Sequence, residues 1–144
     1  MLKDLKVELS DEFNQNFQRK AFFSEKWKPR KVRKKARGSL LLVTGTLRRS
    51  IRSEITESGV RFSSAVAYAS VHNEGAEGTR MVKAHTRTSK KGKTYTVKVH
   101  SQRFSLPKRQ FIGDGEEVRN IVRDVVGDCV AEIDIELQKM LTLL

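Results

Sequence analysis

The residues of this chain that could do chemistry are few, and their spacing argues against most of it. There are three histidines, His72, His85 and His100, and one cysteine, Cys129. Three imidazoles could hold a metal. However, His85 and His100 sit in a field of lysine and arginine that opposes a dication, and no carboxylate accompanies them at ligand spacing. A single cysteine rules out an internal disulfide and a cysteine-rich metal site. It falls in a helical apolar pattern and is expected as a buried core thiol. His72-Asn73 invites an HNH-nuclease reading, yet the metal-holding Asp and the ββα order around it are not evident. With no Ser-His-Asp arrangement, Gly-rich phosphate loop or paired carboxylates, no catalytic residue, metal or cofactor is expected.

What is left is charge, and it is unevenly placed. The net charge of +12 over 144 residues divides into −1 for residues 1–25, +18 for residues 26–110 and −5 for residues 111–144. Eight of the twelve residues from Lys26 to Arg37 are basic: Lys26, Lys28, Arg30, Lys31, Arg33, Lys34, Lys35 and Arg37. Pro29 interrupts this run and Gly38 closes it, so residues 26–38 read as a loop. It is either a solvated charge run or an arm that binds phosphates or an acidic partner. A second basic stretch, Thr79 to Arg109, has ten basic residues and no acid. Only Tyr95 and Phe104 interleave aromatics with it. That is thin for base stacking, so any nucleic-acid contact would be phosphate-directed and blind to sequence.

The elements that must position these charges are legible from periodicity. Ser10 reads as the cap of a first helix with Asp11 and Glu12 in its first turn, and Leu9, Phe13, Phe17 and Ala21 form its apolar stripe. Thr44 reads as the cap of a short central helix to about Ser53, with Leu47 and Ile51 on one face. Residues 54–57 and 60–63 alternate around Ser58-Gly59 as a β-hairpin with Ile55, Val60 and Phe62 buried. Ala67 to Gly75 reads as one or two helical turns ended by glycine. The near-repeat Val82-Lys83-Ala84-His85 and Val97-Lys98-Val99-His100 flanks the turn sequence Ser89–Lys93. It predicts a hairpin arm over 79–103, with Val82, Ala84, Tyr95, Val97 and Val99 on one face. Lys83, His85, Arg87, Lys98 and His100 are expected on the other. A final helix over 114–144, capped by Asp114 with Glu117 in a capping box, should cover the sheet. Its end, from Met140, looks too apolar to be free in solvent. One α+β domain, 1–144, is expected: a small antiparallel sheet with a basic arm, packed by an N-terminal, a short central and a long C-terminal helix. No run of about 18 apolar residues predicts a membrane span. Residues 1–10 lack the apolar core of a signal peptide, so a cytosolic protein without a membrane partner is expected.

Three short patterns fall in one order: Leu42-x-Thr44-Gly45-x-Leu47-Arg48-x-Ser50-Ile51, then Tyr68-Ala69-x-x-His72-x-x-Gly75, then Leu106-Pro107-x-Arg109-x-Phe111-Ile112-Gly113 before a long helix. In this the chain resembles the phage virion-morphogenesis family, the tail-completion proteins of Mu-like and related tailed phages. The resemblance covers roughly residues 40–140. It implies a non-enzymatic structural protein that forms a homo-oligomeric ring at the head–tail junction. The implied partners are tail-tube or terminator and head-connector proteins, and genomic DNA passes through the channel without sequence preference. The implied location is the virion tail or neck, and the host cytoplasm during assembly. Arg48 and Arg109 are the matched positions expected to make inter-element or inter-subunit pairs. The alternative is a sequence-independent nucleic-acid-binding protein of a mobile element, using the residues 26–37 and the basic arm.

Overall fold

The computed structural model describes residues 1–30 and 38–142. Among these the chain is α+β, with helices and two-stranded antiparallel sheets. Helix α1, Leu2–Arg19, is longer than its capping signal suggested. The stripe begins at Leu5, and Asp4 in the first turn takes the N-terminal amine at 2.6 Å. Ser10 is therefore not a cap. Its hydroxyl donates to the Lys6 carbonyl one turn back and to Ser53 Oγ, which satisfies it inside the helix. Lys20, in the left-handed conformation at φ 56°, ends the helix. A minimal hairpin follows, β1 Ala21–Phe22 with β2 Glu25–Lys26. The expected basic loop thus starts inside a strand, and Trp27 beside it is buried, its indole N–H donating to the Gln110 carbonyl at 2.7 Å.

The central helix α2 is shorter than expected, Thr46–Arg49, and its N-cap is Gly45 at φ 71°. Thr44 Oγ1 only approaches the Thr46 N–H, at 3.4 Å. Ile51 leaves the helix to open β3, because Ser50 turns its hydroxyl onto the Leu47 carbonyl and Ser64 Oγ. Strands β3, Ile51–Thr56, and β4, Gly59–Ser64, form the expected hairpin, Ile55 opposite Val60 and Ser53 opposite Phe62. Val60 and Phe62 pack on the core, whereas Ile55 is exposed. Helix α3, Ala69–Glu74, ends at Gly75, whose φ of 80° and ψ of 165° suit glycine alone. A Cβ there would sit 2.8 Å from the Lys108 backbone nitrogen.

Two core clusters meet along α1. Leu5, Leu9 and Phe13 gather Phe22, Val60, Phe62, Val118, Ile121, Val122 and Val125. One turn further, Phe17 gathers Trp27, Leu47, Ala69 and Phe111. So α1, not the last helix, covers the β3–β4 hairpin. Helix α4, Glu116–Thr142, packs its first turns on α1. Its expected capping box is replaced: Asp114 takes the Arg119 guanidinium at 2.6 Å, and Glu117 accepts from Ser24 Oγ at 2.7 Å. Cys129 is half-buried rather than in the core.

Residues 107–115 have no regular structure, and two asparagines hold them. Asn16, fully buried, donates to the Phe111 carbonyl at 3.2 Å and accepts from the Phe23 N–H at 2.9 Å. Asn73 Oδ1 accepts from the N–H groups of both Phe111 and Ile112, at 2.9 and 3.2 Å. Asn16→Ala leaves the Phe111 carbonyl and the Phe23 N–H without their partner. It is expected to lower the unfolding free energy by roughly 2–4 kcal/mol in a urea titration. A loss within error of zero would remove Asn16 from this role.

Candidate assembly surface

The second basic stretch forms two ladders in one continuous register. Strand β5, Ala76–Val82, pairs with β8, His100–Leu106, and β6, His85–Thr88, pairs with β7, Thr94–Val97. Residues 83–84 and 98–99 lie between them. The expected single arm is thus two ladders, and the expected segregation of its faces does not hold. His85 stands opposite Val97, Arg87 opposite Tyr95 and Val82 opposite His100. Paired residues share a face, so cations and apolar groups are mixed. The cause is the turn. Ser89–Lys93 closes with Gly92 N–H on the Ser89 carbonyl and Ser89 N–H on the Lys93 carbonyl. This odd-numbered turn pairs odd positions with odd, whereas the segregated pattern needs odd with even. The two halves of the near-repeat share one local contact. His85 Nδ1 lies 3.0 Å from the Lys83 carbonyl, and His100 Nδ1 lies 2.9 Å from the Lys98 carbonyl.

Nearly every residue of the ladders is exposed, Met81 at 66% and Val99 at 58%. Between Ala76 and Leu106 there are eight lysines and arginines against one glutamate, Glu77. Lys83, His85, Arg87, Lys98 and His100 all belong to this solvent-facing surface.

Arg48 and Arg109 are spent inside the chain. Arg48 Nε donates to Asn14 Oδ1 of α1. Arg109, 6% exposed, donates its backbone N–H to the His72 carbonyl at 2.8 Å and its Nε to the Lys28 carbonyl at 3.1 Å. Burial, and then the neighbouring Arg30, hold its guanidinium below the ordinary arginine value. Lys28, Arg30, Lys108 and Arg109 line a cleft of about 780 Å³, with Glu74 and Glu77, where the β5–β8 ladder joins the body. Lys31, Arg33, Lys34, Lys35 and Arg37 lie outside the described residues.

Sequence reasoning saw an apolar end to α4 but missed how much of the helix is uncovered. Past Val125, the side chains of Val126, Val130, Ile133, Leu137 and Met140 are exposed, Met140 at 65%. Their 4-3-4-3 spacing is a helix-pairing seam, and it was legible in the sequence. Asp128, Glu132, Asp134 and Glu136 accompany it, against Lys139 alone. One chain therefore displays a basic surface and an acidic one, each with exposed apolar side chains. Such surfaces suit association. No group of three or more His, Cys, Asp or Glu residues among those described could hold a metal ion. No described helix is long and apolar enough to cross a membrane.

His72 is a structural group. Its Nδ1 is buried with no hydrogen-bond partner among the described residues, and its ring meets Tyr68 edge-on at 5.8 Å. Burial, and then Arg109, push the imidazole below the ordinary 6.5. Above that value both folded and unfolded chains carry it neutral. Below it the unfolded chain takes up a proton that the folded chain resists, so stability falls with falling pH until the lower folded value is reached. The thermal midpoint is expected to drop between pH 7.5 and 5.5, and to drop less in His72→Gln. Equal slopes for the two proteins would contradict this.

The comparisons with curated proteins and with solved structures give no match. A family model does match, that of the phage virion morphogenesis family, over residues 1–131. This takes in α1, both core clusters, both ladders and the first half of α4, so the chain belongs to the phage virion morphogenesis family.

Proposed function

We propose that this phage virion structural protein is a non-enzymatic tail-completion or neck component. It assembles with copies of itself into a ring at the head–tail junction, contacts tail-tube or terminator and head-connector proteins, and lets genomic DNA pass. The observation that carries the ring is the separation of charge on one chain: a basic ladder surface and an acidic helix, both exposed. A surface that fits a different surface on the next copy generates a ring when the rotation closes. Opposite charges steer that encounter. Gold-labelled antibody against the chain, applied to virions of the phage that encodes it, is expected to mark the neck. Label on the tail tip or along the tube would contradict this placement.

The exposed cationic ladder also supports a second reading, sequence-independent DNA binding. A DNA-binding protein would hold duplex DNA tightly at low salt and release it with a log–log slope of about 0.9 per phosphate neutralised. The ring reading expects only weak retention of duplex at about 0.15 M salt, measured by fluorescence anisotropy. Tight binding of unrelated duplexes at that salt would favour the second reading.

A further inference from the structure

We infer that the exposed half of α4 in one copy is the docking site for the basic ladders of the next copy. This rests on the ring reading and adds which surfaces meet. The occupant follows from what the helix displays. Val130, Ile133, Leu137 and Met140 make an apolar seam that none of the described residues covers. Asp134 and Glu136 fall at the positions that flank it, while Asp128, Glu132 and the lone Lys139 lie further round the helix. A second α4 would fit the seam but bring net negative charge against net negative charge, which opposes pairing. The ladders offer the complementary pattern. On β6–β7, Arg87 and Tyr95 are cross-strand neighbours on one face with His85 and Val97. On β5–β8, Met81 shares a face with Arg103. Apolar side chains there alternate with cations, as the seam on α4 is accompanied by carboxylates.

The dimensions agree. From Val126 to Thr142 the helix rises about 25 Å at 1.5 Å per residue. Strand β5 spans about 23 Å at 3.3 Å per residue. A two-stranded ladder with both faces in water is marginal by itself, and a helix laid on one face supplies the missing cover. The contact is head-to-tail, since each copy gives its helix to one neighbour and its ladders to the other.

The test uses the full chain with Cys129→Ser, carrying either Leu137→Cys or Met81→Cys. The two proteins are dissociated in high salt, mixed, returned to low salt and treated with a bis-maleimide of short reach. The expected product is a covalent dimer that forms in the mixture and not from either protein alone. A dimer from Leu137→Cys alone would show helix on helix and overturn the inference. So would an oligomer of wild-type mass that gives no dimer. A wild-type chain that is monomeric at every concentration would overturn the ring reading itself. A charge exchange guards against misfolded variants. Asp134→Lys with Glu136→Lys is expected to raise the concentration for half-assembly by about tenfold or more. Adding Lys83→Glu and Arg87→Glu to the same chain should bring it back. Failure of that rescue, with folded protein by circular dichroism, would also overturn the pairing.

Discussion

The body of this protein depends on two side-chain amides that grip one aromatic residue. The segment around Phe111 has no helix of its own and no strand partner among the described residues. Its backbone would be left buried and unsatisfied, which costs more than an ordinary hydrogen bond gains. Asn16, from the last turns of α1, and Asn73, from the end of α3, supply what a neighbouring strand would have supplied. That fixes the Phe111 ring against Phe17, with centroids 5.2 Å apart, and Trp27 closes on Phe17 at 5.9 Å. Burying rings of this size is worth several kcal/mol together. The ion pairs found among the described residues all involve solvent-accessible side chains and add little to this. The fold is held by aromatic packing and satisfied amides.

That clamp also sorts the chain into what is buried and what is offered. The segment it holds lies between the end of β8 and the start of α4, so the acidic helix and the basic ladders leave the body from the two ends of one short link. Gly75 marks the other root of the ladders, where the backbone passes too close to Lys108 for any side chain. Both outer elements are anchored by buried residues at one end and exposed along the rest. The small core thus sets the direction of both exposed surfaces.

The elements themselves were legible in the sequence where one periodicity was unopposed. The β3–β4 hairpin and the glycine end of α3 are where alternation and turn chemistry place them. Helix starts were not, because capping residues have other uses. Ser10 bonds back into its own helix, and Asp114 and Glu117 are taken by Arg119 and Ser24. The face pattern of the ladders hinged on the parity of one turn, which residue types do not reveal. Arg48 and Arg109 stood out in the sequence as pairing residues, and the structure gives each a partner within the chain. The roles of Asn16 and Asn73 carried no sequence signal beyond a polar residue on an apolar helix face in one case and a neighbour of His72 in the other. The exposed seam of α4 could have been read from its heptad spacing, since a stripe that long exceeds what α1 can cover.

The central claim is that the opposed surfaces of one chain bring copies together into a closed ring. The most direct measurement is the mass of the purified protein by light scattering across concentration, at low and at moderate salt. The account predicts one discrete oligomer at low salt, of constant mass above a threshold concentration, that dissociates as salt screens the charges. A monomer at every concentration and salt, or a mass that grows without limit, would contradict it.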